Sequence, residues 1–181
     1  MKKTYKLSIE DIENLKNDLL NYKNNIINKL PKFIDELTKA GFEVIEEKMA
    51  EAHVTYDEKG VKSGADTSHT KYVNFKYTKT SVTATLVVEG KELLFIEFGA
   101  GVYYNKNLGS SPHDKGKEFG FLIGSYGKGY GAREAWGYYD ESGNLIITRG
   151  VKATMPVYSV VDKTQKTYIE IARKVFGNVD K

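Results

Sequence analysis

The stretch Leu93-Leu94-Phe95-Ile96-Glu97-Phe98-Gly99-Ala100-Gly101 combines a run of large apolar side chains, one carboxylate and two glycines. Five apolar residues within six positions predict a buried β-strand over residues 93–98. Glu97 then lies near the strand end, where burying a carboxylate costs free energy unless hydrogen-bond donors surround it. Gly99 and Gly101 allow the backbone to turn sharply. We interpret the segment either as a strand end that starts a large loop or as the acidic rim of an active site.

Length and composition limit the possible classes of protein. A chain of 181 residues is typical of one domain, so we predict a single domain over residues 1–181. The chain has no cysteine, which excludes disulfides and thiolate metal sites. Its net charge is only +3 and is spread along the chain, unlike the concentrated basic patch of a nucleic-acid-binding domain. No apolar run approaches the roughly 20 residues that span a bilayer, and the basic N-terminus continues into an amphipathic segment rather than a signal peptide.

Residues 8–52 form the predicted helical region. Ser8 and Asp11 resemble a capping box, which marks a helix start. Pro31 interrupts the region and predicts a kink, or two helices joined at Leu30. We expect the apolar stripe to pack on one side of a small sheet. Its members recur every three or four residues, as a helix face requires: Ile9, Ile12, Leu15, Leu19, Tyr22, Ile26, Leu30, Phe33 and Leu37.

Antiparallel strands are predicted over residues 70–98, after a polar, exposed loop at 57–70. Alternating or β-branched side chains favour strands at 71–77 and 81–88, joined through Lys79-Thr80. With residues 93–98 as the third strand, the pattern predicts an antiparallel meander.

The C-terminal half begins with a long Gly/aromatic loop at residues 99–135, which is rich in glycine and tyrosine. Such a long loop in a compact domain is usually functional, and its aromatic content argues against plain disorder. A hairpin is predicted over 136–148 and a final helix over 157–176, ended by Gly177. The predicted fold class is therefore α+β: long kinked or paired N-terminal helices packed on a small antiparallel sheet, then the Gly/aromatic loop with its hairpin, and a C-terminal helix.

Motifs for phosphate or metal chemistry are missing from the sequence. The glycines between Gly124 and Gly131 match neither a phosphate-binding loop nor a dinucleotide-binding turn, and no βαβ unit surrounds them. His53, His69 and His113 have no metal-binding spacing. We expect no cofactor and no metal.

The sequence evidence for a catalytic site is equally weak. Residues 110–114 contain serine, histidine and aspartate, but neighbours in one loop rarely adopt triad geometry, and no nucleophile elbow is present. Glu97 with Glu92 or Glu118 resembles a glycosidase pair. A lone acid at a strand end is more often capped by nearby backbone N–H groups or paired with a basic neighbour, so no catalytic residue is predicted. Tyrosines and lysines in the 99–131 region are compatible with base stacking, although an aromatic protein interface is the better interpretation.

The order of these elements resembles the head–tail joining, or tail-completion, proteins of long-tailed bacteriophages. Members of that family carry an aromatic-rich strand ending in Glu-Phe-Gly-Thr-Gly, which corresponds here to Glu97-Phe98-Gly99-Ala100-Gly101, with Ala100 in place of threonine. Some members insert a Gly/aromatic segment with a Trp-Tyr hairpin, then Thr-x-Gly and a proline before the last helix. The matching residues are Trp136-Gly137-Tyr138-Tyr139, Thr148-Arg149-Gly150 and Met155-Pro156.

This resemblance, which spans residues 8–176, implies a non-enzymatic virion protein of the neck or tail, assembled in the bacterial cytoplasm. It implies a ring of copies that contacts other neck or tail proteins, with DNA passing nearby, no sequence-specific nucleic-acid binding and no membrane. A tail terminator is the alternative within virion proteins; a small nucleic-acid-binding module or a hydrolase is the alternative outside them. We predict that the residues acting as a structural pivot or interface are Glu97, Phe98, Gly99, Gly101, Tyr103, Tyr104, Tyr126, Tyr130, Trp136, Met155 and Pro156.

Overall fold

A computed structural model describes residues 8–101 and 135–177. The predicted α+β class is confirmed, because the chain has a long N-terminal helix, small sheets and a C-terminal helix. In chain order the elements are α1 (Ile9–Glu51), β1 (Thr55–Tyr56), β2 (Lys62–Ser63), β3 (His69–Tyr77), β4 (Val82–Gly90), α2 (Leu93–Phe98), β5 (Ala100–Gly101), β6 (Trp136–Tyr139), β7 (Leu145–Val151) and α3 (Pro156–Phe176).

The described residues divide into two compact units. The first contains residues 8–41, 73–87 and 163–177. Within it, the Phe33 and Phe176 rings lie 5.4 Å apart between centroids, and Lys174 Nζ lies 2.9 Å from Glu36 Oε2. The second contains residues 42–72, 88–101 and 135–162. Most of the buried apolar side chains belong to it, including Val44, Ile45, Met49, Ala52, Ala65, Ile96, Phe98, Ala100 and Val151.

Helix α1 starts and ends close to the predicted limits. The Ser8 hydroxyl accepts the backbone N–H of Asp11 at 3.1 Å and donates to its carboxylate at 2.8 Å, which confirms the predicted cap. A single helix runs through Pro31, rather than two helices joined at Leu30. Proline removes one helical hydrogen bond, while the apolar stripe keeps its register on both sides, so the helix continues.

The apolar stripe of α1 is exposed in its N-terminal part, where Ile12 is 55% and Leu19 59% exposed. Its C-terminal members, Ile26, Leu30, Phe33 and Leu37, are half-buried. Nearly complete burial is reached only beyond the stripe, where Ile45 and Met49 are each 2% exposed. The expectation that the whole stripe packs on a sheet is therefore wrong for its N-terminal part.

Strand β7 is the centre of the five-stranded sheet in the second unit. It pairs in parallel with β2, which itself pairs with β1 in the antiparallel sense. Strands β5 and β6 pair antiparallel with β7, through Gly101 opposite Gly150 and Trp136 opposite Thr148. The predicted hairpin at 136–148 is confirmed as β6 and β7.

Strands β3 and β4 form a separate two-stranded sheet. Their hairpin agrees with the prediction, and its turn is closed by the Thr78 N–H bonded to the Ser81 carbonyl at 2.9 Å. The predicted third strand at 93–98 is wrong, because these residues form the short helix α2, and the three-stranded meander is wrong with it. A short continuous apolar run fits a buried helix as well as a buried strand, and here the hydrogen bonds are local.

The polar segment 57–70 differs from the exposed loop that its composition predicts. It contains β2, and Ala65 within it is fully buried. Helix α3 confirms the predicted C-terminal helix and is followed by Gly177, whose N–H bonds the Arg173 carbonyl at 2.8 Å.

Candidate functional site: the Glu97 junction

Helix α2 places Glu97 in the interior of the second unit. The N–H groups of Phe95 and Ile96 bond the Glu92 carbonyl, and the Gly99 N–H bonds the Phe95 carbonyl at 2.8 Å. Gly99 has a φ of 80°, a left-handed conformation that glycine adopts without strain and that ends the helix. Residues Ile96–Phe98 are buried, and Glu97, at 7% exposure, is the one charged residue among the buried residues of the described chain.

The Glu97 carboxylate caps the N-terminus of α3. Its Oε2 accepts the backbone N–H of Val157 at 2.8 Å, and its Oε1 accepts that of Tyr158 at 3.0 Å. A carboxylate that accepts main-chain N–H groups forms charge-assisted hydrogen bonds, which are shorter and stronger than neutral ones. Its negative charge also faces the positive end of the helix dipole. The expectation that Glu97 is capped by backbone N–H groups is confirmed, although it lies on a helix and not on a strand.

The N–H groups at the start of α3 that have no partner within the helix bond to groups of α2. An α-helix begins with four N–H groups that have no partner in the helix. The Met155 N–H bonds the Ile96 carbonyl at 3.4 Å, and Pro156 at the first helical position has no N–H. The next two belong to Val157 and Tyr158 and reach Glu97. A side chain 60 residues earlier therefore performs the capping that Met155, with an apolar side chain, does not supply.

Two further sets of contacts complete the site, which we call the Glu97 junction and define as residues 96–101 together with 150–158. Ala100 pairs with Val151 and Gly101 with Gly150 in the sheet. The Thr154 N–H bonds the Ile96 carbonyl at 3.0 Å, and the Thr154 hydroxyl donates to the Lys48 carbonyl of α1 at 2.8 Å. Helices α1, α2 and α3 and strand β7 are thus joined by hydrogen bonds in which a main-chain group takes part each time.

Met155 carries the strained backbone of the junction. Its φ of 56° is in the left-handed region, which a long side chain adopts at a free-energy cost. Pro156 is fully buried directly after it. The left-handed residue turns the chain so that the first turn of α3 faces the carboxylate.

The structure brings together six of the predicted pivot residues: Glu97, Phe98, Gly99, Gly101, Met155 and Pro156. The backbone of Trp136 belongs to β6 and pairs with Thr148. Tyr103, Tyr104, Tyr126 and Tyr130 lie outside the described residues.

An ion pair that the sequence did not suggest supports β7. Arg149 Nη2 lies 2.6 Å from Asp57 Oδ2, and both side chains are about one-third exposed. The Val61 N–H and then the Arg149 guanidinium hold the pKa of Asp57 below its ordinary value. Next to it, the buried Thr148 hydroxyl donates to the Lys62 carbonyl at 3.1 Å and accepts the Gly150 N–H at 2.9 Å. Asp57 and Arg149 are 92 positions apart, and no pattern in the sequence indicates that they meet.

The histidines within the described residues make hydrogen bonds to protein groups. His53 Nδ1 lies 3.1 Å from Thr67 Oγ1, and His69 lies 2.8 Å from the Thr67 carbonyl and 3.2 Å from Glu46. Lys71 also contacts Glu46 and, with His69, lowers the pKa of that carboxyl. Across residues 8–101 and 135–177, no three His, Asp or Glu side chains are placed to hold a metal ion. His113 lies outside these ranges.

A cavity of about 350 Å³ lies in the second unit, with Lys62, Glu92, Phe95 and Tyr138 among its lining residues. Its two charged side chains contact protein groups: Glu92 Oε2 accepts the Asp66 N–H at 2.7 Å, and Lys62 Nζ lies 3.4 Å from the Tyr138 hydroxyl. The two acids of the glycosidase alternative within the described chain, Glu92 and Glu97, thus each bind backbone N–H groups. Glu118 lies outside the described residues.

Comparison of the chain with protein-family models, with curated proteins and with solved structures finds no match. In the part of the chain that the structure covers, neither long helix is apolar enough over a sufficient length to cross a membrane.

Proposed function

We propose that this chain is a structural protein of the bacteriophage neck, which joins the DNA-filled head to the tail as a ring of identical copies. The proposal rests on the order of the motifs that resemble head–tail joining proteins. It assigns the chain a role in protein–protein assembly without catalysis, in the virion, with other neck or tail proteins as partners and no sequence-specific contact with the DNA.

One observation supports the proposal beyond motif order. Three of the motifs are far apart in the chain but meet in the Glu97 junction. Glu97 caps the helix that starts at Pro156, and Gly101 pairs with Gly150 of the Thr-Arg-Gly motif. Short motifs that arise by chance have no reason to converge. Their convergence is expected if they specify one structural unit.

Deletion of the gene from the phage or prophage that carries it tests the proposal. If the chain is a neck protein, its deletion is expected to leave full heads and separate tails in electron micrographs of the lysate. Adding the purified chain to that lysate should join them. Tails of abnormal length would instead identify a tail terminator, and normally joined particles would refute a virion role.

Electron microscopy and DNA binding of the purified full chain give a second test. Closed rings are expected, because a head-to-tail contact between identical copies closes when its rotation divides a full turn. A DNA affinity that falls steeply with salt, without rings, would favour a nucleic-acid-binding module.

A further inference from the structure

The N-terminal part of α1 displays apolar side chains to solvent in a heptad arrangement. Counting Ile12 as position a places Leu19 and Ile26 at a, and Leu15 and Tyr22 at d. Ile12 is 55%, Leu15 37%, Leu19 59% and Tyr22 49% exposed. Residues 9–26 cover about 27 Å of helix at the usual rise. A seam with this spacing is the surface through which helices pack side by side in coiled coils.

The charges beside this seam specify the partner and its direction. Positions g are occupied by Asp11 and Asp18, and positions e by Lys16 and Lys23. In a parallel pair of helices each g residue meets the e residue five positions later on its neighbour. Asp11 then faces the neighbour's copy of Lys16, and Asp18 faces the neighbour's copy of Lys23, so both contacts join opposite charges.

The antiparallel arrangement of the same two helices is disfavoured. In that arrangement, residues at position g face residues at g of the other helix, and residues at e face residues at e. Aspartate would then lie against aspartate and lysine against lysine. Like charges across such a seam cost free energy and select against that pairing. The pattern on one chain is therefore complementary to itself in the parallel sense only.

We infer that residues 9–26 of α1 form a parallel coiled-coil contact with the same residues of a second copy of this chain. The contact goes beyond the proposed function. A surface that meets the same surface of a second copy is an isologous contact and joins copies in pairs, whereas the ring closes through heterologous contacts, so the helix contact does not depend on the ring. Asn17, at position f, faces away from the seam.

Cysteine crosslinking of the full-length protein tests the direction of the contact. The chain has no cysteine, so each variant carries one thiol. Parallel, in-register helices bring each residue at position a or d close enough to its own copy for a disulfide, whereas residues at position f stay apart. Ile12→Cys and Tyr22→Cys are each expected to form disulfide-linked dimers with themselves at least tenfold faster than Asn17→Cys, the control. Crosslinking only when the first two variants are mixed would establish the antiparallel arrangement and overturn the inference, as would equal rates for all three.

Charge reversal tests the g–e contacts by sedimentation equilibrium. Asp18→Lys and Lys23→Glu each place like charges opposite one another twice in a homomeric pair, so each is expected to weaken self-association about tenfold. An equimolar mixture restores both opposite-charge contacts and should associate like the parent. Unchanged far-UV circular dichroism checks that the helix is intact. A parent chain that stays monomeric at every concentration, or variants that associate as it does, would overturn the inference.

Failure of this contact and failure of the proposed function are distinguishable. Crosslinking through Ile12→Cys in a protein whose gene deletion leaves head–tail joining intact would refute the neck role and leave the helix contact standing. Loss of joining on deletion, with no crosslinking and no effect of charge reversal, would refute the contact alone.

Discussion

Arg149 Nη2 lies 2.6 Å from Asp57 Oδ2 and ties β7 to the turn between β1 and β2. The hydrogen bonds to Asp57 hold its pKa below the ordinary value. A group with a lowered native pKa stabilises the fold at pH values above its unfolded pKa, about 4, and this stabilisation disappears as the pH falls through the native value. Asp57→Asn is expected to lower stability at pH 7 and to flatten the loss of stability below pH ~4.

Thermal unfolding of the parent and Asp57→Asn between neutral and acidic pH measures this effect. Glu58→Gln, at the neighbouring exposed position, is the control for loss of one negative charge. If the unfolding temperatures of the parent and Asp57→Asn differ by the same amount at every pH, the ion pair does not link folding to the protonation of Asp57.

Replacing Glu97 should destabilise the chain more than replacing an exposed glutamate. Glu97→Ala leaves the Val157 and Tyr158 N–H groups without their acceptor at the start of α3, at an expected cost of about 2–4 kcal/mol. Glu97→Gln keeps one carbonyl oxygen but loses the charge, and should cost about half as much. Urea unfolding gives both values. Glu47→Ala, on the exposed side of α1, is the control and should change stability by less than about 0.5 kcal/mol; equal effects at Glu47 and Glu97 would contradict the capping role.

Two glycines with left-handed backbones should respond very differently to alanine. At Gly64 (φ 88°) a new Cβ would lie 2.6 Å from the Ala52 carbonyl oxygen and closer still to that of His53. At Gly60 (φ 72°) it would meet no atom within 4 Å. Gly60→Ala should therefore cost only the backbone strain, about 1 kcal/mol, and Gly64→Ala about 3 kcal/mol or more. Similar unfolding free energies for the two variants would contradict the close approach of Gly64 to the Ala52 and His53 carbonyl groups.

The two ends of α1 should differ in their sensitivity to truncation. Ile45→Ala removes a side chain that is 2% exposed and is expected to cost about 3 kcal/mol. Ile12→Ala, at 55% exposure, should cost less than about 0.5 kcal/mol in dilute protein, where copies are dissociated. Urea unfolding at low protein concentration compares them, and a large cost at Ile12 under those conditions would show that its side chain is buried within one chain.

The elements that could be predicted from the sequence are those with long, regular patterns. The stripe of α1, the Ser8 cap, the β3–β4 and β6–β7 hairpins and α3 are determined by local periodicity and turn residues. Helix α2 was misassigned because five apolar residues within six positions, without alternation, fit either type of element. That hydrogen-bond donors surround the Glu97 carboxylate was predicted from the cost of burying it. That these donors belong to the start of α3, 60 residues away, was not predicted, because no local pattern marks them. The exposed seam of α1 was also missed, because amphipathicity reveals an apolar face and does not reveal what covers it.

The pairing of both β5 and β6 with one edge of β7 bears on how the protein tolerates insertions and deletions between these two strands. Gly101 pairs with Gly150 and Trp136 with Thr148, so β5 and β6 follow one another along the same edge with only Arg149 between their partners. The chain thus leaves this edge and rejoins it within a gap of about 7 Å at the usual rise per residue. The length of residues 102–135 is not set by the sheet. We therefore expect the pairings of β5 and β6 with β7 to tolerate a change in the number of residues that connect them.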